Sequence, residues 1–158
     1  MGNLSFDIRT PVDFFQKLKE DYSEFTKDKT SSKLASDCAV KAWHLAEWIY
    51  KEYNASLCTQ FPSFFSYQQN IKLKCPSLQY MQDISNGTKH FTITKYSPSV
   101  KNTELHKGAF SNAFSRAFDI SVLVIELSNG TKLYFEDEIE KVIDYWESYF
   151  PTELGIII

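Results

Sequence analysis

The chain has 158 residues, 43% of them hydrophobic and 16% aromatic, with a mean hydropathy of −0.32. That is ample apolar material for one domain with a sizeable core, and no apolar run approaches the ~20 residues of a membrane span. A net charge of −3 and an isoelectric point near 5.6 disfavour a broad electrostatic grip on duplex nucleic acid, while a local basic groove stays open.

The N-terminus, Met1 to Asp7, lacks a basic region followed by an apolar core, so it does not read as a secretory signal. Gly2 with Asn3-Leu4-Ser5 echoes a myristoylation start only loosely. Cys38, Cys58 and Cys75 are odd in number and show no C-x-x-C spacing. They read as reduced thiols of a cytoplasmic protein.

Thr10-Pro11-Val12-Asp13 has the form of a helix start: Thr10 to cap, Pro11 at the first helical position, Asp13 at the positive end of the dipole. Phe14, Phe15, Leu18, Tyr22 and Phe25 recur at helical spacing, which predicts a helix over about 11–27. A polar connector, 27–33, leads to a second helix over about 32–54. Its core face is Leu34, Cys38, Ala42, Leu45 and Ile49. At about 100° per residue, Asp37, Lys41, His44 and Trp48 form a separate band beside that face.

Phe61-Pro62 marks a break. A third helix is expected over 63–74, with Phe64, Phe65, Tyr67, Ile71 and Leu73 partly buried, and a fourth over 77–90 beyond Cys75-Pro76. In the fourth, Leu78, Met81, Ile84 and Thr88 share one face. Gln79, Asp83, Asn86 and His90 share nearly the opposite one. This segment has a rival reading, because Ser85-Asn86-Gly87-Thr88-Lys89 recurs as Ser128-Asn129-Gly130-Thr131-Lys132. The second copy lies between strand-like flanks, where Asn129-Gly130 predicts a hairpin turn. The first copy could turn likewise, and Gly87 within a helix costs about 1 kcal/mol relative to Ala.

Residues 91–108 read as extended structure and loop; 109–119, with Phe110, Phe114 and Phe118 among polar residues, reads as a strand or a short helix, the strand being favoured by the strong hairpin that follows. A hairpin follows over 120–127 and 131–135. The last helix, about 136–150, opens on Glu136-Asp137-Glu138 and carries an apolar stripe through Ile139, Val142, Ile143, Trp146, Tyr149 and Phe150. Pro151 is expected to end it. The apolar tail Leu154-Gly155-Ile156-Ile157-Ile158 is expected to pack on the domain or on a partner protein. The fold class is therefore mainly α: a bundle of four to five helices with a small antiparallel sheet before the last one.

The candidate site rests on two segments. Asp37 precedes His44 by seven residues, and Asp83 precedes His90 by seven. A heptad spans about 10.5 Å of helix, so neither Asp touches its own His. Antiparallel packing of the two helices, however, would bring Asp37 level with His90 and Asp83 level with His44. Carboxylates facing imidazoles would tune them for acid–base chemistry. Lys41 or Lys89 would hold a phosphate, and Asn86, Glu47 and Trp48 would line the crevice. His44, His90 and the carboxylates could instead hold a divalent metal. The plain structural alternative makes His44 a half-buried core histidine and Asp83, Asn86 and His90 a solvated face. No Gly-rich phosphate loop, G-x-S-x-G or H-E-x-x-H is present, and no cofactor is expected.

Ala42-Trp43-His44-Leu45-Ala46-Glu47-Trp48 and Asp83-Ile84-Ser85-Asn86-Gly87-Thr88-Lys89-His90-Phe91 resemble the paired signatures of a widespread, largely uncharacterised family of small bacterial and phage proteins. The resemblance spans most of 34–150. That family usually carries Ala at the position of Gly87, which favours the helix. The second signature is also similar to the HEPN helical domains, which implies a metal-independent RNase site in a dimer groove, in a defence or toxin system. In that motif an Arg precedes the His by several residues, whereas residue 82 here is Gln. Two functions follow as expectations. One is acid–base action on RNA or nucleotides by a homodimer. The other is a non-catalytic protein-binding module of phage or mobile-element origin that uses the apolar tail.

Overall fold

The computed structural model describes residues 4–158; the Gly2 start noted above lies outside them. Helices run over Pro11–Lys27 (α1), Ser32–Glu52 (α2), Asn54–Leu57 (α3), Phe64–Lys74 (α4), Ser77–Lys89 (α5) and Phe135–Glu153 (α6). Strands Val100–His106 (β1), Val122–Leu127 (β2) and Lys132–Tyr134 (β3) lie between α5 and α6. They form one antiparallel sheet in the order β1-β2-β3. The molecule is mainly α with a small sheet before the last helix, as the sequence predicts. Among the described residues no helix is long and apolar enough to cross a membrane.

Local chemistry accounts for the helix starts. The Asp13 N–H donates to Thr10 Oγ1 (3.1 Å) while the Thr10 N–H donates back to the Asp13 carboxylate (2.9 Å). This reciprocal cap satisfies two orphan donors. Ser31 caps α2 through the Leu34 N–H and Ser63 caps α4 through the Ser66 N–H. At Tyr53 the backbone leaves helical values, so α2 stops at Glu52 and a short turn of helix continues the path.

α2 is the central element. Cys38, Ala39, Ala42, Leu45, Ala46 and Ile49 are fully buried along it. α1 lies on one side, with Phe14 against Trp48 at 4.9 Å between ring centroids and an ion pair from Lys41 to Asp21. α6 lies below, where the indole N–H of buried Trp146 donates to the Ala42 carbonyl (3.0 Å). On α4, Tyr67 and Ile71 reach the core, but Phe65 and Leu73, expected partly buried, face solvent.

Two expectations are corrected. Residues 109–119 are not a strand. With Ile120 they make up the tandem tetrapeptides Ala109-Phe-Ser-Asn, Ala113-Phe-Ser-Arg and Ala117-Phe-Asp-Ile. Ser111 Oγ accepts the Ala113 N–H and its carbonyl accepts the Phe114 N–H; Ser115 does the same for Ala117 and Phe118. Serine turns of period four thus replace the period-two strand. They bring Phe110, Phe114 and Phe118 together, with ring centroids 5.3–5.8 Å apart. The second correction is at Pro151, which sits inside the last turn of α6 rather than ending it. Gly155, at φ +68°, reverses the chain, and the Ile156 N–H returns to the Phe150 carbonyl (2.9 Å). Leu154 and Ile156 then pack on the core, while Ile157 stays exposed.

Candidate functional site at the α2–α5 edge

Residues 77–89 are helical, so Asn86-Gly87 makes no turn. α5 packs along α2, with Ser85 Oγ 3.5 Å from His44 Nε2. One cleft joins Ser36, at the start of α2, to Gly87 and Thr88, near the end of α5. These two contacts make the helices antiparallel, the arrangement on which the expected crevice depends.

The two Asp–His pairs are not formed among the described residues. Asp83 stands near the level of His44 but points the other way, because residues 83 and 85 lie about 200° apart around a helix. Its carboxylate is 3% exposed and accepts four hydrogen bonds. Gln79 Nε2 and the Tyr96 hydroxyl donate to one oxygen (2.9 and 2.8 Å), and the backbone N–H groups of Ser99 and Val100 donate to the other (2.7 and 3.0 Å). Asn86 Nδ2 donates to the same Tyr96 oxygen (3.0 Å). Burial and the adjacent carboxylate push the Tyr96 phenol up to about 12, against the opposing Asn86 bond. Asp83 and Asn86 therefore pin the 90–99 segment to α5.

On α2 the expected band splits. Lys41 and Trp48 turn to α1, as described. Asp37 pairs with Lys33 one turn back (2.9 Å) and Glu47 with Lys51 one turn on (2.5 Å). His44 alone faces α5. Partial withdrawal of its ring from water lowers its pKa below 6.5; Glu47 opposes the shift and Lys89 adds to it. The imidazole is therefore neutral near pH 7. Among the described residues no cluster of three or more His, Cys, Asp or Glu side chains could hold a metal ion.

His90 caps the C-terminal end of α5 in extended conformation and is exposed. It lines a cleft of about 540 Å³ between that end, the 90–99 segment and β1. Thr88, Phe91, Thr92, Lys101 and Asn102 line it too; His44 does not. Asp83 is the one carboxylate in the lining, and its oxygens are already occupied. Phe91, beside His90, is fully exposed.

The sequence reading passed over the third histidine. His106 Nε2 lies 2.7 Å from Asp119 Oδ1, at the neck of the 109–119 loop. The Ala-Phe-Ser/Asp repeat was the signal that could have revealed this loop. Comparison of the chain with models of protein families, with curated proteins and with solved structures finds no match.

Proposed function

We propose that the protein binds the phosphates of single-stranded RNA or of a nucleotide in the cleft at the C-terminal end of α5. A charge imbalance carries this reading. Residues 53–103 hold five lysines and a single carboxylate, Asp83, in a chain whose other nineteen carboxylates lie elsewhere. Asp83 is buried and fully hydrogen-bonded, so it offers little repulsion to an anion. Lys101 lines the cleft, Lys89 adjoins it and Lys95 belongs to the segment that borders it. Lys89 and Lys95 make no ion pair among the described residues, whereas Lys101 pairs with Glu126 at 3.4 Å. A local excess of unpaired cations is what phosphate binding needs. Exposed Phe91 adds a ring face on which a base can stack.

The reading is one of binding. The acid–base cleavage implied by the HEPN resemblance would run through His44 and His90. Withdrawal from water favours the neutral form of His44 and Lys89 is nearby, but among the described residues neither imidazole hydrogen-bonds a carboxylate that would orient it. Of the two sequence expectations, the protein-binding tail is the less favoured, since Leu154 and Ile156 are spent on the chain's own core.

Fluorescence anisotropy with a labelled single-stranded RNA, competed by a nucleoside triphosphate, tests the proposal and separates the two phosphate sources. Binding should weaken steeply with salt, and Lys89→Glu with Lys95→Glu should abolish it. Gel analysis of the same RNA should show it intact after incubation. Loss of intact RNA that His44→Ala and His90→Ala prevent would replace the binding reading with the catalytic one.

A further inference from the structure

The outer face of the sheet carries a feature unrelated to the α5 cleft. Antiparallel register sets Glu104 and Tyr134 on either side of Val124, and His106 opposite Val122. By strand alternation these side chains share one face, while Leu123 and Ile125 point to the core. The 109–119 loop folds over that outer face. Gly108 closes its neck, where a Cβ would come within 2.2 Å of the Asp119 carbonyl oxygen. Between loop and sheet lies a cleft of about 380 Å³. Ile120, Val122 and Val124 line it with aliphatic surface, and Phe118 and Tyr134 supply two aromatic rings.

The charges around this cleft are all engaged. Glu104 pairs with Lys132 at 3.3 Å and His106 with Asp119 at 2.7 Å. Arg116 binds Asp137 and Glu136 at the head of α6 and lies over the Tyr134 ring, 4.2 Å from its centroid. A charged ligand would have to displace one of these pairs, whereas an uncharged one need only cover the aliphatic surface and stack. The volume falls within the range of about 300–1,000 Å³ typical of small-molecule sites, which are mostly apolar with a few polar groups. We infer that the outer sheet face and its Phe-bearing loop form a binding site for an uncharged planar aromatic molecule of one or two fused rings. Phe118 is its stacking wall, Val122 and Val124 are its floor, and Tyr134, with Arg116 over its ring, borders it.

Titration of the full chain with indole, followed by amide chemical shifts in nitrogen–proton NMR spectra, tests this. The expected result is saturable shifts confined to residues 116–124 and 132–134. Phe118→Ala should weaken the affinity by about three- to tenfold, the value of one aromatic contact. Val124→Asp should abolish it. Phe118 lies in a loop, so its replacement keeps the test valid if Tyr134→Ala disturbs the sheet; unchanged amide shifts in α1 and α2 serve as the folding control. Shifts that do not saturate, shifts mapping elsewhere, or an unchanged affinity in Phe118→Ala would overturn the site. Tighter binding of indole-3-acetate than of indole would overturn the preference for an uncharged ligand.

Discussion

Asp83 is the residue with the most to lose on substitution. Four donors from α5, the 90–99 segment and β1 converge on its carboxylate, and removing a buried acceptor strands the donors without water. Asp83→Ala should destabilise the protein by about 3 kcal/mol in urea unfolding. His90→Ala, at an exposed position, should stay within about 0.5 kcal/mol. The glycines of the five-residue echo should respond in opposite directions. Gly87 is helical and a Cβ there would meet nothing within 4 Å, so Gly87→Ala should stabilise by about 1 kcal/mol. Gly130 sits at φ +87°, where Ala is strained, so Gly130→Ala should lower the melting temperature. His44 gives a pH prediction. Its pKa is depressed in the fold, so below pH 6.5 the unfolded chain takes up the proton first. The stability that neutral His44 supports is present above the unfolded value of 6.5 and is lost as pH falls from there through the ring's lower value in the fold. The stability difference between wild type and His44→Gln should shrink on acidification, and the ring should titrate below 6.5 by NMR.

The elements show which patterns are readable in the chain and which are not. α1, α2 and α4 follow from apolar periodicity and a capping residue, because both act within a few neighbours. The Asn129-Gly130 hairpin is legible for the same reason. The identical letters at 85–89 form helix instead, because Leu78, Met81 and buried Ser85 dock α5 on α2; the outcome depends on a partner distant in sequence. β1 was legible only as extended structure somewhere in 91–108; its bounds were not, since six of its seven residues are exposed and no alternation of apolar residues marks them. The turns of the 109–119 loop were not legible: three Phe among polar residues beside a strong hairpin suit a strand or a short helix, and the serine side-chain bonds that set the turns leave no mark in apolar periodicity. The loop's neck gives an element-scale prediction. Gly108→Ala should separate Gly108 from Asp119, weaken the His106–Asp119 pair and raise amide exchange across 109–119, with α1 and α2 unaffected.

Across the whole molecule, the antiparallel meeting of α2 and α5 entered the sequence analysis as a condition, since α3 and α4 separate the two helices in the chain. Which way each side chain turns was not legible. Asp83 turns away from His44 because the 90–99 segment offers it a phenol and the Ser99 N–H, and the start of β1 the Val100 N–H, and nothing in a heptad spacing foretells that. The charge imbalance was written in the sequence but hidden in a net charge of −3. A mean over the chain erases a run in which lysines outnumber carboxylates five to one. The folded chain gathers part of that run at one cleft, with its carboxylate buried beneath.

The salt dependence of single-stranded RNA binding measures that imbalance most directly. Wild-type affinity should fall linearly on logarithmic axes, and each of Lys89→Ala and Lys95→Ala, whose lysines have no acidic partner among the described residues, should reduce the slope by about 0.7. Lys27→Ala and Lys33→Ala, whose lysines pair with acids on α1 and α2, should leave it unchanged. Equal effects from both groups of lysines, or no measurable RNA or nucleotide binding at low salt, would contradict the account.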